Sequence, residues 1–261
     1  MLPEDRSILS RASSAPPVMV SYGDHADQIA EILPGEPEAP LIMVLHGGFW
    51  QERYDRVHCR GLAGELATLG ATVVLLEYRR VGGGGGWPAT FDDVRLGLRK
   101  IVQHHPRAAR RIVVGHSAGG HLGLWAAATE PTPIVDAVVG LAPIADLAAM
   151  ALALGDGENP VHELLGGTPE SHPDRYDLAD PSVLPAPRAD VRLLHGMSDT
   201  LVPIEQSLGY AARHPGTWVT ELRCAHFELI DPRSGVFPAV LEAVQAEIDA
   251  AHSEPRRSRP W

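Results

Sequence analysis

The stretch Gly115-His116-Ser117-Ala118-Gly119-Gly120 constrains this chain more than any other. It follows the β-branched run Ile112-Val113-Val114 and opens an Ala/Leu-rich helical pattern. A strand, a G-x-S-x-G turn and a helix in that order make a nucleophile elbow, in which a sharp turn lifts the serine hydroxyl clear of the backbone and aims it into a cleft. Gly115 and Gly119 flank Ser117 because a Cβ at either place would jam the strand against the helix. Ser117 is therefore a candidate nucleophile for acyl groups. A competing reading treats the same residues as a glycine-rich turn whose serine caps a helix. The rest of the chain must decide between the two.

Strand-like and helix-like patterns alternate along the sequence, the signature of a mostly parallel sheet flanked by helices. Strands are expected near Val18–Tyr22, Gln28–Leu33, Leu41–Leu45, Thr72–Leu76, Ile112–Val114, Val135–Leu141, Val191–Leu194 and Thr217–Leu222. Leu41-Ile42-Met43-Val44-Leu45 is apolar throughout, as a strand buried on both faces requires. Leu62, Leu66 and Leu69 recur at helical spacing ahead of Gly70, and further helices are expected at Ala89–His104, Ala118–Ala128 and Val236–Ala250. Residues 145–189 break the rhythm. They are rich in Pro, Asp and Gly, with short helical pieces such as Val161–Leu165, and read as a small cap inserted between two strands. The expected organisation is one α/β domain over residues 1–255, with residues 256–261 a disordered tail.

The 261 residues suffice for such a domain. A net charge of -11 argues against nucleic acid and anionic membrane surfaces as partners. Met1 to Pro16 lacks the apolar core of a signal peptide, and no apolar run approaches membrane-spanning length. The two cysteines, Cys59 and Cys224, lack metal-type spacing and suit a reducing compartment, so a cytoplasmic location is expected.

An alcohol is a poor nucleophile at neutral pH, so Ser117 needs a base, and the base an orienting carboxylate. On a sheet of this kind the chain order is serine, acid, histidine, each on a loop after a strand. Asp199 follows the strand that ends at Leu194, and His226 follows the last strand. Charge that develops on oxygen during acyl attack needs backbone N–H groups already aimed at it. The turn His46-Gly47-Gly48-Phe49-Trp50 after the third strand supplies Gly48 and Phe49 N–H, and Ala118 N–H joins them from the elbow. Gly47 permits the turn. Trp50, Tyr78 and Trp87 are candidates for the substrate pocket or for core packing. His116, inside the elbow, is grouped with them as a packed spacer rather than a base.

Other motifs fail on their own terms. Gly82 to Gly86 resembles a dinucleotide loop, but Trp87-Pro88 stands where a helix should cradle phosphate. His162-Glu163 begins like a zinc motif, but Gly166 occupies the place of the second histidine. No metal or cofactor is expected. His195 reads as a structural loop histidine. Asp231 is a backup acid in the wrong chain order.

With these residues in place the chain resembles an α/β-hydrolase over nearly its whole length. The pairing of His46-Gly47-Gly48-Phe49-Trp50 with Gly115-His116-Ser117-Ala118-Gly119-Gly120 is similar to the HGGxW branch, which includes kynurenine formamidases and small bacterial carboxylesterases. Phe49 stands where the lipase-like HGGG motif has its third glycine, which favours the formamidase-like side. The resemblance implies an eight-stranded sheet, no cofactor, and hydrolysis of a small acyl ester or an N-formyl arylamide through an acyl-serine. Two other readings are a catalytically silent binding protein on the same scaffold and a peptidase-like amide hydrolase.

Overall fold

The computed structural model describes residues 4–11, 18–130, 134–155 and 157–253. Eight strands form one sheet: β1 (Val18–Ser21), β2 (Ile29–Leu33), β3 (Leu41–Leu45), β4 (Thr72–Leu76), β5 (Arg111–His116), β6 (Ala137–Leu141), β7 (Asp190–Gly196) and β8 (Trp218–Leu222). Their order across the sheet is β1-β2-β4-β3-β5-β6-β7-β8. β1 and β2 pair antiparallel, β2 runs antiparallel to β4, and every later pairing is parallel. The sheet is that of the α/β-hydrolase fold.

Burial follows from place in the sheet. All five residues of β3, β4 and β6 are buried, which matches their unbroken apolar runs. The edge strands β1 and β8 are largely exposed. Alternate side chains of the central strands feed two separate cores. Met43, Leu45 and Val113 face α2 (Ala89–His104) and α3 (Ala118–Thr129). Ile42, Val44 and Ile112 face α1 (Arg60–Ala67) and the last helix (Phe237–Ser253).

Between β6 and β7 the chain forms α4 (Leu147–Leu154), α5 (Pro160–Leu165) and α6 (Pro173–Ala179), more helix than the Pro- and Gly-rich composition suggested. Asp146 starts α4 by accepting from the Ala149 N–H at 2.8 Å, and the Leu/Ala run behind it has high helix propensity. α7 (Glu205–Arg213) was also not anticipated. It buries Gln206, Ser207 and Tyr210, so it lacks the apolar stripe that marks a helix in sequence. The closing helix is α8 (Phe237–Ser253). The expected tail at residues 256–261 lies outside the described residues, as does part of the Met1–Pro16 stretch. Among the described residues no helix is long and apolar enough to cross a membrane.

The topology locates the cleft. From β3 the chain winds through α1 to β4 on one side, then returns through α2 to β5 on the other. Neighbouring strands β3 and β5 thus carry connections that leave in opposite directions, and a crevice opens at their C-terminal ends. The elbow and the His46-Gly47-Gly48 turn both start there.

Two glycine substitutions test this architecture with opposite signs. A Cβ on Gly119 would stand 2.1 Å from the Leu45 carbonyl oxygen and 2.5 Å from that of His46, both rigid backbone. Gly119→Ala should lower unfolding free energy in urea by more than about 2 kcal/mol. A Cβ on Gly64, inside α1, meets nothing within 4 Å. Gly64→Ala should raise stability by about 0.5–1 kcal/mol through helix propensity. Equal effects of the two changes would contradict the packing described.

Candidate active site

Ser117 sits between β5 and α3 with φ 54° and ψ -119°, a conformation that L-residues avoid. Holding it there costs on the order of 1–3 kcal/mol, so the surroundings must enforce it. They do so through the backbone: Ser117 N–H donates to Leu141 O at 2.9 Å, and Ser117 O accepts from His121 N–H at 3.1 Å and Ile144 N–H at 3.3 Å. The Ser117 side chain makes no capping bond to α3, which removes the helix-cap reading. Its hydroxyl has no hydrogen bond to any described residue, His226 included. Catalytic hydrogen bonds are often open in an unliganded site and close on substrate.

Asp199 and His226 meet directly, with Asp199 Oδ2 2.6 Å from His226 Nδ1. The other carboxylate oxygen accepts from Leu201 N–H at 2.9 Å and Val202 N–H at 2.8 Å, which fixes the plane of the group. Burial works against the charged form of Asp199. Hydrogen bonds with His195 and His226, and the His226 charge, outweigh it and hold the pKa below the ordinary carboxylate range. His195 is wholly buried, bonded to Ser207 Oγ at 2.7 Å and Val202 O at 2.9 Å, and lies 3.5 Å from Asp199. It braces the acid loop. Asp231 is taken by Arg11 and lies outside this pair.

The turn after β3 abuts the elbow. A Cβ on Gly47 would come within 3.0 Å of Ser117 Cβ, and Gly48 takes φ 114° with its Cβ position 2.4 Å from Tyr54. The N–H groups of Gly48, Phe49 and Ala118 donate to no described residue. Ala118 opens α3, where the first N–H groups have no intrahelical acceptor. Beneath the turn, His46 Nε2 lies 2.8 Å from Glu77 Oε1, the His46 ring stacks on Tyr78 at 4.4 Å, and Tyr78 O–H donates to His46 O at 2.7 Å. Arg56 and Arg80 also reach Glu77, and Arg56 continues to Glu31. Burial pushes the Glu77 pKa up, but the His46 charge and hydrogen bond, with Arg80 and the Arg56 N–H, bring it down to about 2. Sequence reasoning missed Glu77; its signal was a carboxylate directly after a fully apolar strand.

Three of the four pocket candidates are enclosed in this structure. Trp50 and Tyr78 are wholly buried, and Tyr78 serves the turn from below. His116 is equally enclosed, with its ring 4.5 Å from that of His226 and Nε2 3.3 Å from His226 O. Burial, and then the His226 charge, keep His116 well below the usual histidine range, so it is a neutral spacer packed against His226. Trp87 alone of the four keeps open surface, packed on Phe91 at 4.9 Å. Burial raises both cysteine thiols to about 12, so neither Cys59 nor Cys224 is a thiolate at neutral pH. Among the described residues no cluster of three or more His, Cys, Asp or Glu side chains could hold a metal ion.

The family model described as BD-FAE matches residues 32–213. A kynurenine formamidase of Danio rerio is 29% identical over 116 residues, which is 43% of this chain and 39% of that protein. A probable carboxylic ester hydrolase, LipM, of Mycobacterium tuberculosis is 27% identical over 190 residues, 66% of this chain and 44% of that protein. The matched stretches thus span about two fifths of these relatives' lengths. Among solved structures, a truncated carbohydrate esterase from gut microbiota superposes with TM-score 0.78 at 20% identity, covering 93% of this chain and 99% of that one. Esterase B from Lactobacillus rhamnosis gives 0.74 at 17% identity, covering 95% and 92%. At these identities the structures show the fold.

The Glu77 network has a measurable pH signature. A carboxylate whose pKa is depressed on folding contributes stability above its ordinary range and loses it as pH falls. Wild type should exceed Glu77→Gln in unfolding free energy near pH 7. The gap should narrow by about 2 kcal/mol between about pH 5 and pH 3, as the unfolded-state carboxyl but not the folded one takes up its proton. A gap that stays constant in urea titrations across that range would show that Glu77 is not held ionised.

Proposed function

We propose that this chain, which belongs to the BD-FAE family, is a serine hydrolase that cleaves a small acyl ester or an N-formyl arylamide through an acyl-serine. One observation carries the serine mechanism. Ser117 is held at φ 54° without capping the helix it precedes, and strain of that kind is retained where it positions a reacting group. The substrate class is supported by the relatives' names, kynurenine formamidase and carboxylic ester hydrolase.

In this reading Ser117 Oγ attacks the acyl carbonyl carbon as its proton passes to His226 Nε2. Asp199, already bonded to Nδ1, fixes the tautomer and stabilises the imidazolium. The carbonyl π electrons move to oxygen, and the unpaired N–H groups of Gly48, Phe49 and Ala118 receive that charge. The tetrahedral species collapses with loss of the alcohol or arylamine, which takes the proton from His226. Water then gives a proton to His226 and attacks the acyl carbon. Collapse releases the acid and returns the proton to Ser117.

The α4–α6 segment is proposed as a small cap that limits acyl length. It touches both sides of the cleft: Gln51 Nε2 donates to Glu163 at 3.0 Å beyond the oxyanion turn, and His121 Nε2 contacts Ala179 O at 3.0 Å on α3. Trp125 Nε1–H donates to Leu178 O at 3.0 Å as a second tie. A short segment tied at both rims favours short acyl groups over long lipid chains in this reading.

Ser117→Ala should cut turnover of short p-nitrophenyl esters or N-formylkynurenine by at least about three orders of magnitude, because the triad acts as a unit. Asp199→Asn should lose a comparable factor by reversing the imidazole tautomer. Labelling of folded wild-type protein by a fluorophosphonate should stop in Ser117→Ala. Hydrolysis undiminished in Ser117→Ala would refute the assignment. The ratio of kcat/KM for the two substrate types decides between ester and formamide.

A further inference from the structure

The residues ahead of β1 reach across the molecule to the loop that carries His226. Residues Ser7–Ser10 form one 3-10 turn, and Ile8 is buried in the core shared by α1 and α8. On one side of this anchor, Arg11 forks onto Asp231, with Nη2 2.8 Å from Oδ2. On the other side stands Glu4. Its Oε2 accepts from the His226 backbone N–H at 3.0 Å, and its Oε1 accepts from Thr200 N–H at 3.1 Å and Thr200 Oγ1–H at 3.2 Å. Thr200 is the residue after Asp199. One carboxylate thus joins the backbone of the base to the neighbour of the acid.

We propose that Glu4 is a positioning residue for the Asp199–His226 pair, setting the separation of the acid loop and the base loop. The proposal rests on the triad reading given above. Asp199 and His226 lie on irregular loops after β7 and β8, beyond the regular strand pairing that ends at Gly196 and Leu222. The neighbouring N–H of the base loop is also claimed by a carboxylate, since Ala225 N–H donates to Glu228 Oε2 at 2.6 Å. The His226 N–H has Glu4 as its acceptor. Hydrogen bonds to an ionised carboxylate are about twice as strong as neutral ones, and one such group with a bond to each loop resists their separation. A catalytic pair must be held to about 0.5 Å, and a misplacement of 1 Å can cost a hundredfold in rate. A purely structural tether of the N-terminal residues would affect stability alone.

The test compares Glu4→Ala, Glu4→Gln and Arg11→Ala in the full chain. Glu4→Ala should lower kcat about tenfold with KM changed less than twofold. Glu4→Gln keeps one acceptor oxygen and should recover part of the loss. Arg11→Ala loosens the same segment at Asp231, on the far side of the Phe227–Leu229 turn from His226, and should lower Tm while changing kcat less than Glu4→Ala does. The low-field proton resonance of the His226–Asp199 hydrogen bond should shift or broaden in Glu4→Ala and persist in Arg11→Ala. Wild-type kcat and an unchanged resonance in Glu4→Ala would overturn the proposal, as would equal kcat losses in Glu4→Ala and Arg11→Ala. If Glu4→Ala does not fold, Glu4→Gln carries the same comparison. If Ser117→Ala retains full activity, the triad reading falls by itself. The resonance then decides whether Glu4 positions the pair.

Discussion

A contact between backbones governs this molecule. The first turn of α3 lies so close to the end of β3 that a methyl group on Gly119 would overlap the Leu45 and His46 carbonyls. The same closeness brings Gly47 against Ser117. β3 and β5 are neighbours in the sheet although a helix, a strand and a second helix separate them in the chain. Their shared edge is where the winding reverses, so the elbow and the His46-Gly47-Gly48 turn meet without a strand between them. That edge places Ser117 and the His46-Gly47-Gly48 turn, while Asp199 and His226 come from the ends of β7 and β8.

The sheet's hydrogen bonding continues past its regular strands to reach the loops. Ser117 N–H donates to Leu141 O, Ala142 N–H to Leu194 O, Met197 N–H to Leu222 O and Ser198 N–H to Cys224 O. Each bond links the end of one strand to the end of the next. The chain of bonds runs from the elbow to the acid loop and on to the base loop, across the intervening strand β6. Backbone strain gathers along the same edge. Phe49, Trp50, Ser117 and Ala142 are the positive-φ residues other than glycine among those described, and they follow β3, β5 and β6. At Ser117 and Ala142 the ladder over-determines the backbone, and this lets unfavourable conformations persist.

The sequence was most legible where one physical demand ruled the residue choice. β3 and β4 must be apolar on both faces, so their ends are read from Leu41–Leu45 and Thr72–Leu76 without error. α2 carries Val94, Leu98 and Ile101 on one buried face and shows the helical period. The elbow glycines are dictated by close approach. Legibility failed where burial was not apolar. α7 buries Gln206, whose Oε1 accepts from Ala145 and Asp146 N–H, and Ser207, which holds His195. Such positions look like surface in a hydropathy pattern. Aromatic residues carry the opposite ambiguity. Trp50 and Tyr78 sit beside motif residues in sequence, a place that suits a pocket or the core, and both are buried. Glu4 carries no signal at all, because its partners lie some two hundred residues away along the chain.

The buried charges lie under the His46-Gly47-Gly48 turn, which leaves the Gly48 and Phe49 N–H groups without an acceptor among the described residues. Backbone pairing resumes at Trp50 O, which accepts from Val81 N–H at 2.8 Å, and at the Gln51–Val81 bridge. Apolar packing could hold its side chains but would not fix the direction of its carbonyls. His46 and Tyr78 supply directional restraint: the ring stacks, the Tyr78 hydroxyl holds His46 O, and Glu77 holds the far nitrogen of His46. Glu77 in turn needs Arg56 and Arg80, since an unpaired buried carboxylate would cost several kcal/mol. A buried ion network is a poor source of stability compared with well-packed apolar residues, but it specifies geometry. It sits at the base of Gly47 and Gly48, ahead of the point where backbone pairing with Val81 takes over.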